Sequence, residues 1–137
     1  MESDEILKNF LLVFHPVINT KLNAMKLLKI LIKPILLEEI CKELRHHGVI
    51  GMLVFRGEGT GRYIDPTKEH GSLDFPAPHA ELVKIEIVTH DDDAIRIADI
   101  IQKKATTGTE GDGIIFISPI EEAVRIKDGT RGTEILF

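Results

Sequence analysis

Twice along this chain the apolar period switches from two to 3.6 and back to two, and a long aperiodic stretch separates the two cycles. In the first cycle Leu28, Ile30 and Ile32 alternate with Lys29, Leu31 and Lys33, the period of a strand closed by Pro34. Leu37, Ile40, Cys41 and Leu44 follow at i, i+3, i+4 and i+7, one stripe of a helix that Gly48 ends. A second strand is expected from about Val49 to Arg56. The second cycle opens with Val83, Ile85 and Ile87 alternating with Lys84 and Glu86 over Leu82–Thr89. Asp91, Asp92 and Asp93 suit a helix start, and Ala94, Ile97, Ala98, Ile101 and Ala105 form its buried stripe. Ile114–Ile117 reads as a wholly apolar strand, and Val124 and Ile126, alternating with Arg125 and Lys127, as a short last one.

The order β-α-β, loop, β-α-β is the split βαβ, or ferredoxin-like, pattern of the α+β class. Two helices cover one face of such a sheet. The other face needs cover from elsewhere, and association with further copies is the direct way to supply it. The chain's 137 residues suffice for one such domain. Residues 1–24 stand outside the pattern as an N-terminal extension. Ile6, Leu7, Phe10 and Leu11 suggest a short amphipathic helix over 5–14, interrupted by Pro16.

A net charge of −5 provides no basic field for nucleic acid. No apolar run reaches the length needed to span a bilayer. One cysteine, Cys41, on the helix stripe, forbids an intrachain disulfide and fits a reducing cytoplasm.

Chemistry concentrates in the aperiodic residues 57–81 and in a second glycine-rich turn. The runs Gly57-Glu58-Gly59-Thr60-Gly61-Arg62 and Thr107-Gly108-Thr109-Glu110-Gly111-Asp112-Gly113 can turn backbone N–H groups toward an anion. Arg62, Arg125 and Lys127 can add charge. Neither run ends in the Gly-Lys-Ser/Thr of a P-loop. His70 and His79 share the long loop with Asp65, Glu69 and Asp74, but scattered loop histidines are ordinarily solvated, and no metal site is expected. No catalytic set can be assembled from the sequence.

From Met25 to about Gly132 the chain resembles the PII family of nitrogen regulatory signal-transduction proteins. The resemblance rests on Met25–Pro34, Gly48-Val49-Ile50-Gly51-Met52, Val83–Val88, Thr107-Gly108 with Gly111-Asp112-Gly113, Ile115-Phe116-Ile117-Ser118-Pro119, and Glu121–Ile126 with Gly129 and Gly132. It implies a homotrimer with adenine-nucleotide sites in the clefts between subunits and no catalytic residues or catalytic cofactor. Residues 60–79 would be the family's T-loop, which docks on a target protein such as a transporter, channel or metabolic enzyme. Residues 106–113 would be its B-loop. The implied nucleotide residues are Leu53 and Val88 against adenine, the amides of Gly111, Asp112 and Gly113 under the phosphates with Arg62, Arg125 and Lys127 around them, and Gly59, Gly61, Thr107 and Gly108 in the loops that frame the site. Tyr63, His70, Leu73 and Phe75 are the implied docking residues.

Departures from the family pattern shift the expectation. Ile114 and Thr109 stand where typical members carry lysines, which favours ADP or AMP over ATP and leaves the role of Mg²⁺ open. Tyr63 and Leu82 replace the glutamine and lysine that serve 2-oxoglutarate, so that effector is expected to be lost. His70 replaces the tyrosine that some members have uridylylated. Two other readings stand beside this one. The first is a small trimeric enzyme of slow nucleotide hydrolysis, with Glu86 and Asp112 as candidate bases. The second is a metal-binding trimer of the CutA kind.

Overall fold

The computed structural model describes residues 3–8, 25–71 and 77–136. A helical turn, α1, covers residues 3–8 and leaves Ile6 and Leu7 exposed. The rest of the helix expected over 5–14 lies outside the described residues.

Four strands form one antiparallel sheet: β1 (Met25–Ile32), β2 (Leu53–Gly59), β3 (Ala80–His90) and β4 (Gly113–Pro119), in spatial order β2-β3-β1-β4. Helices α2 (Leu37–His46) and α3 (Asp91–Ala105) connect β1 to β2 and β3 to β4. This is the ferredoxin-like arrangement that the two β-α-β cycles require. Register explains the alternation. Ile30 faces Ile85 on one side and Ile115 on the other, and Leu28 faces Ile87 and Ile117. These residues share the face on which Ile40 and Leu44 of α2 and Ala94, Ile97, Ile101 and Ala105 of α3 are buried.

β2 starts four residues later than the alternation suggests. Gly48, at φ +89, ends α2, and the Val49 N–H returns to the Leu44 carbonyl at 2.9 Å. Val49 is thereby pinned into the core before the ladder begins. The strand expected at Val124–Lys127 is a correction. Only Val124 makes a β-bridge, to Arg131, and the Gly129 N–H closes on the Arg125 carbonyl at 2.8 Å. Gly129 and Gly132, both at positive φ, fold the segment onto itself, so its alternation has no neighbouring strand to join.

The other sheet face carries Leu27, Lys29, Leu31, Leu53, Phe55, Lys84, Glu86, Val88 and Phe116, and among the described residues no helix covers it. Leu53, Phe55 and Phe116 are exposed there.

Candidate functional site

The 106–113 turn is organised around Asp112. Its Oδ2 accepts the Thr107 N–H at 2.7 Å and the Gly108 N–H at 3.0 Å, while its Oδ1 accepts from the Thr107 hydroxyl. The Lys33 ammonium, at the end of β1, stands 3.3 Å from the same carboxylate. The Thr107 hydroxyl foremost, then the Thr107 amide and Lys33, hold Asp112 far below the usual carboxylate range, against a smaller upward push from burial. Asp112 therefore braces the turn from inside. The Thr107 and Gly108 amides are spent on it, and they are not the Gly111–Gly113 amides on which phosphate is expected.

Gly111 and Gly113 serve close approach. A Cβ on Gly111 would lie 2.4 Å from the Ile64 carbonyl oxygen, and one on Gly113 1.9 Å from that of Leu31. The first glycine lets the turn press against the start of the 60–79 loop, and the second lets β4 pair with β1. Gly59, at the end of β2, backs onto Leu82 and Ile64 in the same way.

The two glycine-rich stretches thus meet. Ile64, buried, lies between Gly59 and Gly111. Lys33 reaches Asp65 at 3.9 Å as well as Asp112, tying loop to turn through one ammonium. Asp65 caps a short 3-10 turn, Pro66–Lys68, by accepting from the Thr67 amide and hydroxyl, and those bonds lower its pKa. A cavity of about 420 Å³ opens beside this junction, lined by Lys33, Tyr63, Asp65, His70, Leu82 and Gly111 among others. Lys33 and Ile64 were not singled out from sequence, and Asp65 was named only among the acids near the loop histidines. Lys33 reads as one more alternating strand residue, and Ile64 and Asp65 sit in an aperiodic stretch.

Other expected site residues are scattered. Leu53 and Val88 share the uncovered sheet face and are 60% and 40% exposed. They lie toward the end of the sheet opposite the turn. Gly113 pairs with Ile32, whereas Leu53 falls in the row of Glu86 and Lys29, and Val88 in that of Leu27. At the rise of a strand these rows are about 10 and 17 Å from Gly113. Arg125 is paired to Asp128 at 3.1 Å, and among the described residues no ion pair joins it or Lys127 to the 106–113 turn. Gly61 and Arg62 are exposed at the start of the loop. Tyr63 packs edge-on against Phe116, ring centroids 6.4 Å apart, rather than projecting from the loop tip. Leu73 and Phe75 lie outside the described residues. His70 and His79 exchange both backbone hydrogen bonds, at 2.8 and 3.0 Å, closing the neck of the loop. His79 is 2% exposed, so the expectation of two solvated histidines fails for it.

Removing the brace has a defined pH signature. Because Asp112 titrates lower folded than unfolded, its stabilising contribution is present above about pH 4 and fades as pH falls toward the folded value. Asp112→Ala is expected to lower the melting temperature by about 5 °C at pH 7. That difference should shrink steadily below about pH 4. An equal deficit at pH 7 and pH 2.5 would contradict the brace.

Along most of its length the chain is similar to known proteins. The sequence model of the family described as "Nitrogen regulatory protein P-II" matches residues 25–130. Nitrogen regulatory proteins P-II from Microchaete diplosiphon and Azospirillum brasilense are each 36% identical, over 80% and 82% of this chain and 98% and 100% of their own length. That of Bradyrhizobium diazoefficiens is 38% identical over 82% of this chain. Among solved structures, Arabidopsis thaliana PII bound to citrate superposes with a TM-score of 0.66 at 24% identity, covering 82% of this chain and 92% of the other.

Proposed function

Because this chain belongs to the nitrogen regulatory P-II family, we propose that it is a signalling protein that binds adenine nucleotide, ADP or AMP ahead of ATP, and reports occupancy to a target protein through its 60–79 loop. Regulation rather than turnover is the role of the family. The observation that carries the reading is the Lys33 junction. One cation holds the start of the loop and the brace of the glycine-rich turn together. Phosphate arriving at the turn competes for that cation and loosens or re-aims Asp65. The loop then distributes differently between conformations, and a partner selects among them.

The sites would lie between copies of the chain in a homotrimer. Two facts support this. The adenine-side pair Leu53 and Val88 and the phosphate-side turn occupy opposite parts of one sheet, an arrangement that suits one nucleotide held by two chains. The sheet face bearing Leu53, Phe55 and Phe116 also has no covering layer among the described residues. Among the described residues no helix is long and apolar enough to cross a membrane, and we place the protein in the cytoplasm, acting on its target by docking.

The hydrolytic alternative is weaker on chemical grounds. A general base needs a pKa near the working pH. Asp112 is held far below that, its oxygens engaged by Thr107, Gly108 and Lys33, and Glu86 is paired to Lys84 at 3.1 Å.

Titration calorimetry with AMP, ADP and ATP, each with and without Mg²⁺ and 2-oxoglutarate, tests the reading. The expected result is micromolar binding of ADP or AMP, weaker ATP, and indifference to 2-oxoglutarate, since Tyr63 and Leu82 offer it no charge. Silence with all three nucleotides would remove the proposal.

A further inference from the structure

The neck of the 60–79 loop brings together three side chains that the nucleotide reading does not use. Glu58 comes from β2, His70 from the outgoing limb of the loop and His79 from the returning limb. One potential ligand atom from each lies within 4.8 Å of the other two. The His79 Nε2 stands 3.6 Å from a Glu58 carboxylate oxygen, and the two imidazole centroids are 4.5 Å apart. Two donor atoms bound tetrahedrally to one zinc ion at about 2.1 Å sit roughly 3.4 Å from each other, so the His79–Glu58 spacing already suits one.

The backbone settles which nitrogens face the site. His70 Nδ1 lies 3.2 Å from the Lys68 carbonyl oxygen, and His79 Nδ1 lies 2.7 Å from that of Ala77. A carbonyl only accepts, so each Nδ1 donates to it, and Nε2 is the ring nitrogen on the side away from that carbonyl. Metal-binding histidines are oriented in this way, the far N–H donating to a carbonyl that fixes the tautomer and raises the basicity of the ligating nitrogen. The His70–His79 backbone bridge then holds both rings on one side of the neck.

Charge points the same way. The β2–β3 ladder sets Glu58 directly opposite Glu81, a like-charge pair. Arg56 answers Glu81 at 3.9 Å, and the other side of Glu58 is turned to imidazole.

We infer that Glu58, His70 and His79 form a binding site for one divalent transition-metal ion of the zinc class, clamping both limbs of the loop to the end of β2. Imidazole with one carboxylate suits Zn²⁺ and its first-row neighbours rather than Mg²⁺ or Ca²⁺, which favour all-oxygen shells. Three protein ligands leave a fourth position, and because His70 and Glu81 also line the 420 Å³ cavity, water reaches the ion from that side. The site stands apart from the nucleotide reading, since it shares no ligand with the 106–113 turn.

The test is Zn²⁺ titration of the full chain after chelator treatment, without nucleotide, followed by calorimetry or competition with a chromogenic chelator. The expected result is uptake of one Zn²⁺ per chain, lost in both His70→Ala and Glu58→Gln. Because His70 and Glu58 are exposed, both variants should keep the wild-type circular dichroism spectrum. Cys41→Ala and His47→Ala remove the other sulfur ligand class and the exposed His47–Glu43 pair, and should leave uptake unchanged. No uptake by the wild-type chain, or uptake that survives in both His70→Ala and Glu58→Gln, would overturn the site. ADP titration of the same variants reads the nucleotide proposal separately.

Discussion

Gly113→Ala is expected to abolish cooperative folding, whereas Gly108→Ala, five residues earlier in the same turn, should cost only about 1–2 kcal/mol. Both glycines adopt positive φ, +115 at Gly113 and +76 at Gly108, so both substitutions strain the backbone. They differ in what the new methyl meets. At Gly108 nothing lies within 4 Å, while at Gly113 the methyl would sit 1.9 Å from the Leu31 carbonyl oxygen and 2.9 Å from its carbon. Those atoms belong to β1, the central strand, which pairs with β3 on one side and β4 on the other. They cannot retreat without opening the β1–β4 ladder that runs from Ile32↔Gly113 to Lys26↔Pro119. A penalty above about 4 kcal/mol follows, a large part of the stability of a domain this size. Urea unfolding followed by circular dichroism separates the two cases. A Gly113→Ala protein with the midpoint of Gly108→Ala would show that β4 is not seated on β1 as described.

The same glycines show how far the sequence can be read. That Gly108, Gly111 and Gly113 stand where the chain needs positive φ or close approach is legible from their spacing. That Gly111 yields to Ile64 and Gly113 to Leu31 is not, because those contacts join residues 47 and 82 positions apart along the chain. The stripes Ile40/Leu44 and Ile97/Ile101, and the alternation of Leu28, Ile30 and Ile32, were legible because one helix face or one strand face carries them. Period two at Val124 and Ile126 suggested a strand, but only Val124 makes a bridge and residues 126–128 turn back on Arg125. Alternation records two unlike faces and does not record whether another strand is there to pair with. Lys33 is similar in kind. As the last residue of a strand pattern it looks like a solvated cation, and its pairing with Asp65 and Asp112 exists only once both loops have folded over the end of β1. Glu58, His70 and His79 have separations of 12 and 9 residues, which match no helical or hairpin ligand spacing. The neck of the loop brings them together, not a local motif.

Arg125→Ala is expected to weaken ADP binding by at least about tenfold, in proportion to the loss of a charge-assisted contact to phosphate of about 1.5–3 kcal/mol. Within one chain Arg125 is held to Asp128, and among the described residues no ion pair joins it to the glycine-rich turn, so on the proposed reading it meets phosphate bound by a neighbouring copy. That makes a mixing experiment decisive. Arg62→Ala removes a cation from the base of the loop, and Arg125→Ala removes one from the C-terminal turn. On the proposed reading each variant alone would form trimers in which every site is defective. When equal amounts are unfolded and refolded together, a cleft with Arg62 from one chain and Arg125 from the next is intact in about one case in four, given random assembly of a cyclic trimer. ADP titration should then recover high-affinity sites at about that fraction, with the rest binding weakly. If both arginines served a site within a single chain, no mixture could restore one, because every chain would lack one of the two. Recovery would therefore support clefts shared between copies, and its absence, with both variants folded and trimeric, would place Arg62 and Arg125 on the same chain's nucleotide or away from it altogether.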